Sequence, residues 1–223
     1  MEECNLTKLY FVRHGKTEWN LESRYQGAGG DSLLLPQSYD EMDLLGKHFQ
    51  KVPFAHIYAS PIKRARVTAA RINRKLKKHP KVSLLSRLEE FHLGKMEGQK
   101  FADVEQQYPE EFEDFRNHPD LYDPKAIGGE SYQEVIDRMT PAITAIVKAY
   151  PDDNIMIVSH GAALNAEMNA LLGVPLADLR KRGGLANTST TILESNDGGQ
   201  SYQLIDWNDT SYLNRKIDPT DLV

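Results

Sequence analysis

The chain has 223 residues, 40% hydrophobic and 26% charged, with a net charge of −5. That composition is globular and long enough for a full core, and an acidic balance without a basic stripe excludes nucleic acid as the main partner. No apolar run approaches the roughly 18 residues of a membrane span, the start "MEECNLTKLY" is unlike a secretory signal, and the single Cys4 allows no internal disulfide, so a cytoplasmic location is expected.

In chain order, "KLYFVRH" (8–14) is an apolar run of strand length closed by Gly15. "HIYASP" (56–61) is a second such run. Ser60 suits a helix N-cap and Pro61 the first helical position. Ile62, Ala65, Ala69, Ile72 and Leu76 then mark one apolar helix stripe. The basic "RKLKKHPK" (74–81) reads as the solvated end of that helix. Residues 86–130 are polar and aromatic with weak periodicity, an inserted, cap-like excursion over the sheet; within them "EEFEDFR" is a short helix packing on Phe112 and Phe115. In "SYQEVIDRM" (131–139), Ser131 and Glu134 form a capping box, and Pro141 is expected to interrupt or kink the helix. "NIMIVS" (154–159) is a third strand closed by His160-Gly161, and "AALNAEMNALL" a helix ending at Gly173 with Pro175 beyond. "TSTTILES" and "YQLIDWN" flank "NDGG", a hairpin.

Strands that alternate with helices and are continuously apolar are buried on both faces. The fold class is therefore α/β, a three-layer αβα sandwich with a mostly parallel central sheet. With no repeat or linker, 1–223 is expected to be a single domain.

The Gly-Lys-Thr at 15–17 resembles the end of a phosphate loop, but the required glycine five residues earlier is Tyr10. The chemistry lies in Arg13 and His14 instead. Parallel strands aim their C-terminal ends at one rim, where ligands bind. Those ends carry Arg13-His14-Gly15, Ser60-Pro61 leading to Arg64, and His160-Gly161. Two arginines and two histidines on one rim make a cationic site suited to a phosphoryl group. A neutral imidazole is a competent nucleophile, and Gly15 would let the substrate approach.

"FVRHGKTEWN" resembles the Arg-His-Gly signature of the histidine phosphatase superfamily, with its phosphoglycerate mutase-like fold. "ASPIKRARVTA", "LEEFHLGKMEG" and "IVSHGAAL" resemble three further blocks of that family, in family order between residues 10 and 164. The resemblance implies that His14 is the nucleophile, and that Arg13, Arg64 and His160 hold the phosphoryl oxygens. It also implies that Asn20, Gly161, Thr17, Gln26 and Gly27 contribute to phosphate or substrate binding. The family's acid stands four residues before Gly94, which selects Glu90 over Glu89. A group that gives and retakes a proton is expected in the pocket wall. The stretch "GGDSLLLPQSYDEMDLLG" departs from the family's Asp-x-Pro-Leu-Thr pattern and puts substrate contacts over 25–40 in question.

His48, His56, His79, His92 and His118 read as surface or loop residues, His92 alone being near enough to Glu90 to face the pocket. No zinc-ligand spacing occurs, so no metal and no cofactor are expected. The implied function is a metal-independent phosphomonoesterase acting on a small phosphorylated substrate. Phosphoglycerate mutase is the alternative, and a non-catalytic phosphoryl-ligand binding module is a third reading. A homodimer is left open.

Overall fold

A computed structural model describes residues 6–222; Cys4 lies outside them. Six strands, β1 (Thr7–Arg13), β2 (Phe54–Ala59), β3 (Lys81–Leu84), β4 (Asn154–Ser159), β5 (Thr190–Ser195) and β6 (Gln203–Asp209), form one sheet. Their order is β3-β2-β4-β1-β5-β6. The pairings among β1 to β4 are parallel, while β5 and β6 join antiparallel at one edge. The mixed α/β class read from the sequence is the class observed.

Alternation along the strands builds the layers. Leu9, Phe11, Ile155 and Ile157 enter one apolar cluster; Tyr10, Val12, Met156 and Val158 enter the other. The helices, in chain order, are α1 (Glu18–Leu21), α2 (Pro36–His48), α3 (Lys63–Asn73), α4 (Phe101–Gln107), α5 (Pro109–Asn117), α6 (Tyr132–Ala149) and α7 (Gly161–Leu171). Met139 and Ile143 of α6, with Leu164 of α7, cover the first face. Met42 of α2 and Ala65 and Ile72 of α3 cover the second. No described helix is long and apolar enough to cross a membrane.

Several local expectations need correction. α3 begins at Lys63, with Ile62 and not Ser60 at its N-cap. The Ser60 N–H still extends the sheet ladder to the Val158 carbonyl (2.9 Å), and its hydroxyl pairs with His160 Nε2 (2.8 Å). Residues 74–80 lie beyond the end of α3, with Leu76 tucked into the second cluster. α6 has the Ser131–Glu134 capping box but runs through Pro141. A mid-helix proline costs about 3 kcal/mol. Pro141 sits on the exposed side, where water can satisfy the freed carbonyl, while Val135, Met139, Ile143, Ile146 and Val147 bury the opposite face.

The β5–β6 connection spans seven residues, 196–202, and is held by the Asp197 carboxylate, which accepts from the Ser195 hydroxyl and the Gln200 and Ser201 N–H groups. Residues 86–130 form α4, α5 and single 3₁₀ turns. Their Leu88, Phe91, Leu93, Met96, Val104 and Phe115 are buried in the first cluster, beside α6 and α7. His56 is not a surface residue; it is buried in β2 between Tyr150 Oη (3.0 Å) and Ser83 Oγ (2.9 Å).

Candidate active site

Strand register assembles the site. Arg13 is opposite Ser159 across β1 and β4, and Ala59 is opposite Val158 across β2 and β4. His14 N–H donates to the Ser159 carbonyl at 3.0 Å, continuing the ladder one step past the strand end. His14, Ser60 and His160 therefore leave the sheet side by side.

The His14 ring is 3% exposed. Its Nδ1 lies 2.8 Å from the Gly15 carbonyl, and Nε2 accepts from Arg64 Nε at 3.3 Å. The His160 ring lies 5.2 Å away, centroid to centroid. Burial, then the positive charge of Arg64, holds both imidazoles well below their usual range, so both are neutral at pH 7.

Arg13 points its Nη1 at the Leu185 and Asp221 carbonyls. Burial pulls its guanidinium down to about 10, which leaves it charged at neutral pH. Arg64 donates from Nη1 to the Gly30 carbonyl (2.6 Å) and from Nη2 to the Gly27 carbonyl (2.9 Å). Both side chains are within 1% of complete burial.

Glu90 is also buried. Its carboxylate accepts from the N–H groups of Phe91 (3.0 Å), Ala162 (3.0 Å) and Ala163 (2.7 Å). The last two belong to the first turn of α7. Glu90 lines the pocket and Glu89 does not.

Arg13, His14, Asn20, Gln26 and Glu90 share one pocket with Arg24, Tyr25, Leu93, Phe101, Phe115 and Ala162. Arg64 and His160 neighbour His14 but do not line this pocket, and Arg64 borders a second cleft beside Asp31 and Tyr39. Thr17 is fully buried; it caps α1 and bonds Gln26 Oε1 (2.7 Å) and Asn20 Oδ1 (3.1 Å), positioning both without reaching the pocket itself.

Three expectations change here, at Gly27, Gly15 and His92. Gly27 does not offer its N–H to the pocket, because that group donates to Glu97 Oε1 at 2.7 Å. At Gly161 an added Cβ would lie 2.9 Å from Arg13 Nε, so the missing side chain makes room for Arg13. Gly15 packs against Ser38 and Met42 of α2, so its bareness serves helix packing rather than substrate approach. His92 is exposed and away from the pocket. Lys16, the decoy of the Gly-Lys-Thr, turns to the C-terminal segment, 3.0 Å from Asp221.

Glu97, Asp221 and Asn187 were missed as supports of the site. Asn187 Nδ2 donates to the His14 carbonyl and to Asn20 Oδ1, each at 3.2 Å. Asp221 had a signal: "DPTD" is a capping box, which the structure contains at Asp218–Asp221. Among the described residues, no group of three or more His, Cys, Asp or Glu is arranged to hold a metal ion.

Known proteins resemble the chain in sequence and in fold. A metal-independent phosphoserine phosphatase of Arabidopsis thaliana is 30% identical over 215 residues, 95% of this chain and 85% of that protein. A probable phosphoglycerate mutase, GpmB, of Salmonella paratyphi A is 30% identical over 191 residues, 85% of each chain. The solved structure of Bacillus stearothermophilus YhfR superposes with a TM-score of 0.85 at 33% identity, covering 92% of this chain and 98% of that one. The family profile of the histidine phosphatase superfamily (branch 1) matches residues 9–210, and the chain belongs to that superfamily.

Proposed function

We propose that the chain is a metal-independent phosphomonoesterase that hydrolyses a small phosphorylated metabolite through a phosphohistidine on His14. One observation carries this reading. Buried polar atoms are almost always paired, yet among the described residues Arg13 Nε, in the residue before His14, and His160 Nδ1, in a ring 5.2 Å from that of His14, are buried without a partner. Unpaired nitrogens beside a neutral imidazole, with two guanidinium groups, fit an anion that completes the site on binding.

In this mechanism an arriving phosphoryl oxygen takes over the Arg64 Nε–H from His14 Nε2, and the freed Nε2 lone pair attacks phosphorus. The ester P–O bond breaks, and its electron pair goes to the alcohol oxygen, which takes the proton of Glu90 in its carboxylic acid form and leaves it a carboxylate for the second step. Arg13, Arg64 and His160 hold the phosphoryl oxygens as charge redistributes. Asn20 and Gln26, held by Thr17, line the approach. Water then attacks the phosphohistidine, gives its proton to Glu90, and the P–N bond breaks to restore Nε2. Residues 86–130 act as the cap, supplying Glu90, Leu93, Phe101 and Phe115 to the pocket wall.

The test is hydrolysis of p-nitrophenyl phosphate by the full chain in the presence of a chelator. Wild type should release phosphate and carry an acid-labile, base-stable phosphoryl label during turnover, and His14→Ala should do neither. Comparable turnover by His14→Ala would overturn the assignment. The relative named as a probable phosphoglycerate mutase favours a second reading, tested by interconversion of 3- and 2-phosphoglycerate with a bisphosphate primer.

A further inference from the structure

We propose that Glu97 is a positioning residue for Arg64 and that it acts through the glycine-rich loop 26–31. The inference rests on the phosphatase reading above and gives a role to the segment where the sequence departs from the family pattern.

The guanidinium of Arg64 is aimed by backbone. Gly30, Gly27 and Gln26 carbonyls accept from it at 2.6, 2.9 and 3.2 Å, with Asp31 Oδ1 3.6 Å from Nη1. Those contacts occupy Nη1 and Nη2. They leave Nε to meet His14 Nε2 at 3.3 Å. If the loop shifts, the guanidinium turns, and the donor facing the nucleophile is lost.

The loop in turn is built around a carboxylate. Glu97 Oε1 accepts from Gly27 N–H at 2.7 Å, and the Gly29 N–H also bonds to this carboxylate. A Cβ on Gly27 would lie 2.6 Å from Glu97 Oε2, and one on Gly30 would lie 2.5 Å from Oε1. A Cβ on Gly29 would lie 3.5 Å from Oε2. The sequence Gly-Ala-Gly-Gly at 27–30 is thus bare where the Glu97 carboxyl group fills the loop's interior, a close approach that side chains would prevent. Trp19 closes the other side, 2.5 Å from the Gly30 Cβ position. The path runs from the Glu97 carboxylate to loop N–H groups, from loop carbonyls to Arg64, and from Arg64 Nε to His14.

A double-mutant cycle separates positioning from mere loop stability. Orthovanadate affinity and p-nitrophenyl phosphate turnover are measured for wild type, Glu97→Ala, Arg64→Met and the double variant, with melting temperature as control. Glu97→Ala should weaken vanadate binding and lower kcat by about tenfold or more. In the Arg64→Met background it should cost no more than about twofold, because its route is gone. Glu97→Gln, which keeps an oxygen acceptor for Gly27, should recover part of the loss. If Glu97→Ala costs the same factor with and without Arg64, the proposal fails. Should Glu97→Ala not fold, the same cycle with Glu97→Gln decides it. Absent aryl phosphatase activity in wild type would overturn the phosphatase reading alone, and the vanadate cycle would still decide this inference.

Discussion

Arg64 Nε donates to His14 Nε2 across 3.3 Å, while His14 Nδ1 lies 2.8 Å from the Gly15 carbonyl. Arginine only donates, so Nε2 holds a lone pair and Nδ1 the proton. The same guanidinium that would bind the phosphoryl group keeps its nucleophile in the reactive tautomer. Burial, Arg64 and Arg13 all push the imidazole well below its usual range. The ring should therefore stay neutral as pH falls through 6.5, its ordinary value. Nitrogen NMR of the labelled ring should show an unchanged neutral signature from about pH 7.5 to pH 6; a titration centred near 6.5 would contradict the geometry.

The buried neutral pair His14 and His160 also sets an acid dependence of stability. Both have lowered values in the fold against 6.5 unfolded. Below 6.5 the unfolded chain binds protons that the folded chain refuses, so stability falls as pH falls. Each histidine contributes a slope of about 1.4 kcal/mol per pH unit within that window. Urea unfolding of His160→Asn beside wild type, at about pH 7, 6 and 5, should show the variant less steep by one histidine's share. Equal slopes would mean His160 is protonated in the fold.

Much of this arrangement was legible in the chain. Continuous apolar strands gave the parallel sheet, and strand ends closed by Arg13-His14 and by His160 marked the rim. What was not legible were the long-range supports. Glu97 is 70 residues from the Gly27 it holds, and Asp221 is 208 from Arg13. Nothing in local periodicity records such pairs. Ser60 misled in part: its hydroxyl accepts the Ile62 N–H at 3.3 Å as well as pairing with His160, but the helix begins only at Lys63. Pro141 does not interrupt α6, because a strong apolar face outweighs one missing hydrogen bond.

The C-terminal turn should matter to Arg13. Asp221 is fully buried; it pairs with Lys16 at 3.0 Å and Arg215 at 2.6 Å, and its carbonyl accepts from Arg13. The two cations and the Asp218 N–H hold its carboxyl below the usual range, despite burial, which raises it. Removing one partner of a buried pair strands the other, at a cost of about 3–5 kcal/mol. Asp221→Ala should lower the melting temperature and also the turnover of p-nitrophenyl phosphate at temperatures where it remains folded. Full turnover in folded Asp221→Ala would show that Arg13 does not depend on this turn.

Gly161→Ala should separate activity from stability. Its Cβ would lie 2.9 Å from Arg13 Nε and 3.1 Å from Cζ. The clash falls on a guanidinium fixed by two carbonyls rather than on a free side-chain end. Turnover is expected to fall by about 10²-fold, the scale for losing one well-aimed donor. Gly15→Ala is the contrast, since its nearest clash is the flexible Cε of Met42 at 2.4 Å. Turnover in Gly161→Ala equal to wild type would mean that Arg13 has room to move without loss.

Glu167 should limit stability near neutral pH. It is fully buried in α7, and its carboxyl oxygens accept from Thr140 Oγ1, at 3.0 and 3.1 Å. Burial raises it from 4.5 to about 8, against the Thr140 bond and the more distant charge of Arg138, which lower it. Between those two values the unfolded chain has lost the proton and the folded chain retains it, so stability declines as pH rises from 4.5 to about 8. This runs opposite to the histidine effect. At about 1.4 kcal/mol per unit over that interval, the ceiling is about 5 kcal/mol. Glu167→Gln keeps an acceptor for Thr140 and removes the ionisation. Its stability gain over wild type should be near zero at about pH 4.5 and grow towards pH 8. A gain that is independent of pH, or a loss at pH 8, would show that Glu167 is ionised inside the fold.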